Sequence, residues 1–179
     1  MRANIFSLLA LVGASAASQW AGMERVPDGP YSGTIHPDGS TTMTSLESGT
    51  KYKLDLVQDT GDHAKRALEK RETSCWGYQL DHGGVDEGVA ALKNWAGSNG
   101  QTLSSGATTS YIGYNRKGVY VYYCINVTHS QGNLDTKDID YALRNMDSTC
   151  KPYEASYFWW PGSPELVGKC RSGTPICLG

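Results

Sequence analysis

The sequence predicts an α+β domain: two helices packed on one face of a four-stranded antiparallel sheet of split β-α-β type, stapled by disulfides. Three observations predict it. Two segments repeat apolar residues at helical spacing, a central stretch alternates with a period of two, and all five cysteines lie between positions 75 and 177.

Taken in order, residues 75–80 form a short expected strand bearing Trp76 and Tyr78. In residues 85–96, Val85, Val89, Leu92 and Ala96 fall on one helical stripe. Asp86 and Glu87 suit the positive end of that helix, Lys93 its negative end, and Gly97 the cap. Residues 101–107 read as a polar loop. Residues 108–114 and 118–128 make a hairpin around Asn115-Arg116-Lys117-Gly118. On its second strand Val119, Val121, Tyr123, Ile125 and Val127 share one face, while Tyr120, Tyr122, Cys124 and Asn126 share the other. Residues 134–150 are the second helix, with Asp135 or Thr136 as cap and Ile139, Ala142, Leu143, Met146 and Cys150 along its stripe. An extended segment over 155–160 closes the series, and Pro161 and Pro164 interrupt it before Leu166 and Val167 resume toward Cys170. The order strand, helix, strand, strand, helix, strand matches the split pattern, with both helices against the valine row.

That topology sets the first and last strands side by side and so brings Cys75 near Cys170. Cys124 and Cys150 then form the second pair, joining the long strand to the second helix. The faces conflict, because Cys124 lies opposite the valine row and Cys150 lies on the apolar stripe. Cys177 is left over, to pair with Cys170 or Cys75, to stay free, or to bridge two molecules as a homodimer.

Ahead of this domain the chain reads as processing segments. Met1-Arg2, an apolar core over residues 5–12 and Ala14-Ser15-Ala16 have the three-part pattern of a signal peptide over 1–17, too short in its apolar core to span a bilayer. Residues 18–71 contain no cysteine; 18–50 are dense in Gly, Ser, Thr, Pro and Asp, with Pro27-Asp28-Gly29-Pro30 and Pro37-Asp38-Gly39 as turn signals, 52–57 look like a strand, and 62–71 read as a short polar helix or a loop. Two dibasic pairs, Lys65-Arg66 and Lys70-Arg71, precede the first cysteine. In a secreted precursor they resemble maturation sites, so 18–71 is expected to be a pro-segment and 72–179 the mature domain, the alternative being a retained β-rich N-terminal subdomain. A domain of that size buries a modest core, which makes its disulfides a large share of its stability.

Chemistry is sparse. A formal net charge of −2 with 19% charged residues excludes the concentrated cationic surface that nucleic acid requires. The cysteine spacing is not that of a zinc site, no phosphate-binding glycine loop is present, and no cofactor is expected. Asp81-His82-Gly83-Gly84 places a carboxylate beside an imidazole, and His129, Arg144 and Glu154 could be gathered into a ribonuclease-like set, yet no spacing demands either. The expectation is a non-enzyme. Asn126-Val127-Thr128 is a glycosylation sequon, which would turn Asn126 outward. Aromatic residues are abundant, with Trp 5, Tyr 11 and Phe 2. Tyr120, Tyr122, Trp159 and Trp160 are the expected binding surface, since such rings suit protein contacts or stacking on sugars, the alternative being that most of the aromatics are core or cover the disulfides.

The leader ending in Ala14-Ser15-Ala16, the Lys70-Arg71 pair and the cysteines from Cys75 to Cys177 together resemble the small secreted cysteine-rich proteins of filamentous ascomycetes. Many of these are host-directed effectors with kexin-processed pro-segments, and the helix-on-sheet reading is similar to the killer-toxin-like α/β sandwiches among them. The resemblance covers the architecture of the whole chain. The odd number of cysteines departs from it. It implies a secreted, extracellular effector or elicitor that binds a host or cell-surface protein or glycan, with no nucleic-acid partner and no membrane insertion. A small secreted hydrolase such as a ribonuclease, using His82 or His129, and an antimicrobial killer-type toxin are the alternatives.

Overall fold

The computed structural model describes residues 19–57 and 72–177. The leader over 1–17 and both dibasic pairs lie outside the described residues.

Helices and hairpin follow from local chemistry. Helix α1 (His82–Ala96) starts three positions earlier than its apolar stripe, because the Asp81 carboxylate caps it by accepting the Gly84 N–H at 2.7 Å. It ends at Gly97, whose φ of 64° suits a residue without a side chain. Helix α2 (Thr136–Thr149) opens on a capping box, in which Asp135 accepts the Asp138 N–H and Asp138 accepts the Asp135 N–H. Strands β8 (Thr109–Arg116) and β9 (Val119–Ile125) turn at Lys117-Gly118, with φ of 48° and 74°. Two positive φ values in a two-residue loop match the right-handed twist of the strands, so the turn is tighter than expected. Strand β7 (Gln101–Ser104), in the expected polar loop, pairs with β10 (Gln131–Leu134) as a separate ribbon.

The expected four-stranded sheet is wrong. The protein is mostly β, built on an eight-stranded antiparallel sheet. Besides β8 and β9 it contains β2 (Gly29–Ile35), β3 (Thr41–Ser45), β4 (Lys51–Leu54), β6 (Thr73–Gln79), β11 (Glu154–Trp159) and β12 (Glu165–Arg171). Their order is β4-β3-β2-β8-β9-β12-β11-β6. Two short strands, β1 (Gln19–Trp20) and β5 (Leu56–Val57), pair as a small ribbon beside it. Three strands of the large sheet therefore come from the segment read as a pro-segment. Strand β2 joins β8 in register from Gly29↔Asn115 to Ile35↔Thr109.

Around β9 this sheet is covered on both sides. Against one face, α1 lies on β8 and β9, and α2 lies on β11 and β6. Val119, Val121, Tyr123 and Ile125 meet Leu92, Ile139 and Met146 in one cluster there. Helix α1 approaches closely because Gly84 and Gly88 sit directly on the side chains of Val119 and Val121. On the opposite face Tyr111, Tyr120, Tyr122 and Cys124 are buried with Trp20, Met23, Tyr31, Met43 and Leu54. Three of these tyrosines lie flat over glycines of neighbouring strands: Tyr111 over Gly33, Tyr120 over Gly113, and Tyr122 over Gly168. A side chain at any of those glycines would occupy the space of the ring. Every residue of β9 is consequently buried.

The disulfides also differ from expectation. Cys75 pairs with Cys150, tying β6 to the end of α2, and Cys124 pairs with Cys177, tying β9 to the tail. Cys170 is the free cysteine and is buried. Strand order explains the change: β11 separates β6 from β12, so Cys75 stands opposite Ser156 and Cys170 opposite Tyr120. The conflict of faces disappears too, because Cys124 and Cys177 share the tyrosine face. Cys177 is thus used within the chain.

Candidate functional site

The expected binding surface is not assembled. Tyr120 and Tyr122 are 2% and 1% exposed and belong to the core, because residues 19–57 cover the face that the mature domain alone would leave open. Trp159 and Trp160 are half-buried and divide between the two faces of the sheet. The Trp159 indole donates to the Ser163 carbonyl at 2.6 Å, and Trp160 stands edge-on to Phe158 at 5.0 Å. Asn126 is 5% exposed, and its backbone N–H donates to the Pro164 carbonyl at 2.7 Å. The sequon side chain therefore does not face outward; its neighbour Val127 does.

The acid–base residues are likewise spread out or already engaged. His82 stacks on Tyr153 at 3.8 Å on the surface, while Asp81 is spent on the helix cap. His129 holds a positive φ of 52° in the turn before β10, and its N–H donates to the Gly106 carbonyl. The buried Glu154 carboxylate accepts the N–H groups of Gly77 and Lys151 at 2.8 and 2.9 Å, which fixes the start of β11. Arg144 projects from α2 and takes no part in that clamp. No group of three or more His, Cys, Asp or Glu side chains able to hold a metal exists among the described residues. None of the described helices is long and apolar enough to cross a membrane.

A different surface is built from the residues that sequence reasoning set aside. Strands β2–β4 alternate strictly. Tyr31, Gly33, Ile35, Thr41, Met43 and Leu54 point into the tyrosine-lined core, and the residues between them point out. Cross-strand register lines up the outward set in two rows. One runs Ser110, Thr34, Thr42, Lys53, and the other runs Ser32, Thr44, Lys51. Adjacent members of a row are about 4.8 Å apart, the spacing of paired strands.

Neither helix lies over this part of the sheet. The rows form the floor of an open depression of about 370 Å³, bordered by Leu103 and Ser104 of β7. Thr42 is fixed by His36, whose Nε2 is 2.8 Å from its hydroxyl. Among the described residues, the hydroxyls of Ser32, Thr34, Thr44 and Ser110 form no hydrogen bond within the protein, so their donors and acceptors remain for solvent or a ligand. Lys51 and Lys53 add positive charge along one border, with Asp55 4.0 Å from Lys53. At the turn from β2 to β3, the hydroxyl and N–H of Ser40 hold the Asp38 carboxyl below its ordinary range. That keeps Asp38 ionised and the turn closed beside His36. A period-two signal for this face was present in Ser32-x-Thr34, Thr42-x-Thr44 and Lys51-x-Lys53.

No family model, no curated protein and no solved structure matches the chain.

Proposed function

We propose that this is a secreted binding protein that engages an extended polysaccharide at a host or other cell surface, through the outward face of β2–β4. The observation that supports the reading is the pair of cross-strand rows of outward hydroxyls, with only that of Thr42 held by His36, on a floor held rigid by the buried tyrosine core. Hydroxyls are both donors and acceptors, which suits the same property in sugar hydroxyls. Their spacing repeats along the row, as a polymer of sugars repeats along its axis. Lys51 and Lys53 favour a chain that carries carboxylate or sulfate groups. Rigid floor residues lose little entropy on binding, so modest individual contacts add up over several sugars.

Such binding is the means by which an effector or elicitor of the class this chain resembles would reach its target. The hydrolase alternative finds less support, since His82, His129, Arg144 and Glu154 are dispersed among four elements or their ends. The test is a co-sedimentation and calorimetry panel on the purified secreted protein, using a polyuronate, a sulfated glycan, chitin and cellulose. Thr42→Val with Thr44→Val preserves shape and removes two hydroxyls. It should weaken polyuronate binding at least tenfold while leaving the thermal midpoint within a few degrees. Unchanged affinity in the double variant, or no binding to any member of the panel, would remove this reading.

A further inference from the structure

The row of outward residues Ser110, Thr34, Thr42 ends on Lys53 of β4, which is the edge strand of the sheet. A second open depression, of about 320 Å³, lies at that edge and is lined by Gly22, Arg25, Tyr52, Lys53 and Leu54. We infer that this depression is an oxyanion subsite, in which Arg25, with Lys53 and Tyr52, takes the carboxylate or sulfate group of an acidic sugar. The inference rests on the reading of the hydroxyl face as a polysaccharide floor, and adds to it the residue that selects the charge of the chain.

The fold fixes Arg25 at this edge. It belongs to a short 3₁₀ turn over Met23–Arg25, and Met23 of that turn is buried in the tyrosine-lined core. The turn is clipped to the strands on both sides. The Ala21 N–H donates to the Asp55 carbonyl at 2.9 Å, Trp20 pairs with Leu56, and the Asn115 amide donates to the Val26 carbonyl at 3.1 Å. Gly22, with φ of 90°, lies under the guanidinium, and a side chain there would strike it. Because Gly22 has none, the guanidinium rests against backbone and has less freedom to lose when it binds. The rest of the lining is equally firm: Leu54 is buried, and the half-buried Tyr52 stands edge-on to Tyr31 at 6.1 Å.

The cations here are not used up within the protein. Glu24 comes no nearer than 3.9 Å, to Nε of Arg25, and Asp55 stands 4.0 Å from Lys53. All four side chains are exposed, so water screens both pairs and neither contributes much. Among the described residues, the terminal amino groups of Arg25 and the hydroxyl of Tyr52 form no hydrogen bond within the protein. A planar guanidinium offers two parallel N–H donors, which match two oxygens of a carboxylate or a sulfate ester. The Lys53 ammonium adds charge, and the phenol adds one more donor. A chain lying along the hydroxyl row would therefore meet its charge partner as it crosses β4.

The experiment measures binding of an oligouronate and of a sulfated oligosaccharide to the full chain by calorimetry, at low and at physiological salt. Arg25→Gln should weaken binding at least about fivefold, the loss expected for hydrogen bonds to a charged group. It should also flatten the salt dependence, and leave the thermal midpoint within a few degrees because the side chain is exposed. The ligand that suffers the larger loss identifies the oxyanion the subsite prefers. Glu24→Gln removes the carboxylate that competes for Arg25 and should tighten binding, a gain that no folding defect would produce. Equal affinity of Arg25→Gln and the unaltered protein for both ligands would overturn the inference. Binding that is sensitive to Thr42→Val with Thr44→Val but not to Arg25→Gln would remove this subsite and leave the hydroxyl floor. The reverse pattern would remove the floor and leave the subsite, and no binding of either ligand would remove both.

Discussion

Gly33→Ala measures the docking of the N-terminal strands most sharply. Gly33 lies in extended β2, where an alanine backbone is at ease, so the cost comes from space alone. The new methyl would fall inside the ring of Tyr111, which stands opposite Gly33 on β8. That ring is fully buried, stacks on Trp20 at 6.1 Å, meets the edge of Tyr120 at 6.3 Å, and bonds Thr41 through its hydroxyl. It cannot retreat without giving up one of these. Overpacking costs roughly 1–3 kcal/mol. Losing the Thr41 hydrogen bond adds about 0.5–1.5 kcal/mol. Restricting the unfolded chain returns roughly 0.4–1 kcal/mol. The midpoints of these ranges sum to about 2.3 kcal/mol, or a fall of roughly 5–9 °C in thermal midpoint for a chain of this length. Urea unfolding followed by tryptophan fluorescence reads it, with an unchanged m-value. Gly106→Ala is the control, since nothing lies within 4 Å of its added methyl. In a Tyr111→Leu background the Gly33→Ala penalty should shrink, which isolates the pair. A Gly33→Ala penalty no larger than that of Gly106→Ala would refute the packing of β2 on β8.

The disulfides and the buried phenols supply further tests. Replacing Cys75 and Cys150 by Ala removes a link across 75 residues and should cost about 4 kcal/mol in the chain-entropy account. Cys124 and Cys177, 53 residues apart, should cost about the same. A non-reduced peptide map should join 75 to 150 and 124 to 177. Cys170, whose thiol burial pushes up, should take iodoacetamide only after unfolding; labelling in the native protein would contradict its burial. Burial likewise raises the phenols of Tyr111, Tyr120 and Tyr122 above their ordinary value, and that of Tyr123 with help from the Glu165 carboxylate it donates to. Above about pH 10 the unfolded chain releases these protons and the folded one does not, so stability is full below that pH and falls as pH rises through it. Absorbance at 295 nm should show these phenols ionising together with unfolding. A smooth titration of every tyrosine in the native state would contradict the burial of this face.

The helices and the β8–β9 hairpin were legible because their signals are local. Asp81 and Asp135 cap the helices within a few residues, and Lys117-Gly118 turns the hairpin by its own backbone. Strands β2 and β3 were not legible, whereas β4 and β5 fall on the segment over 52–57 that reads as a strand. Strands β2 and β3 are rich in Gly, Ser, Thr and Pro, residues that read as turns in isolation, and they become strands because β2 has the edge of β8 to pair with and β3 has β2. Their outward positions stay polar because no helix covers them, so no apolar run announces them. The same omission misread β9. Its alternation of Val and Tyr was real, but a continuous apolar run such as Val119–Ile125 also fits a strand buried on both faces, and the cover for the Tyr face comes from residues some 60–100 positions away. Disulfide pairing followed strand order, which local pattern does not encode. The hydroxyl face went unrecognised for the same reason, since Thr34, Thr42 and Lys53 align only across three strands.

The central claim is that residues 19–57 and 72–177 form one sheet. Hydrogen exchange of the native secreted protein, resolved by peptide, tests it most directly. The amides of β2 should exchange as slowly as those of β8 and β9, because all three would open only with the whole sheet. Fast exchange over 29–45 beside slow exchange over 109–125 would show that the N-terminal strands are not part of the folded core.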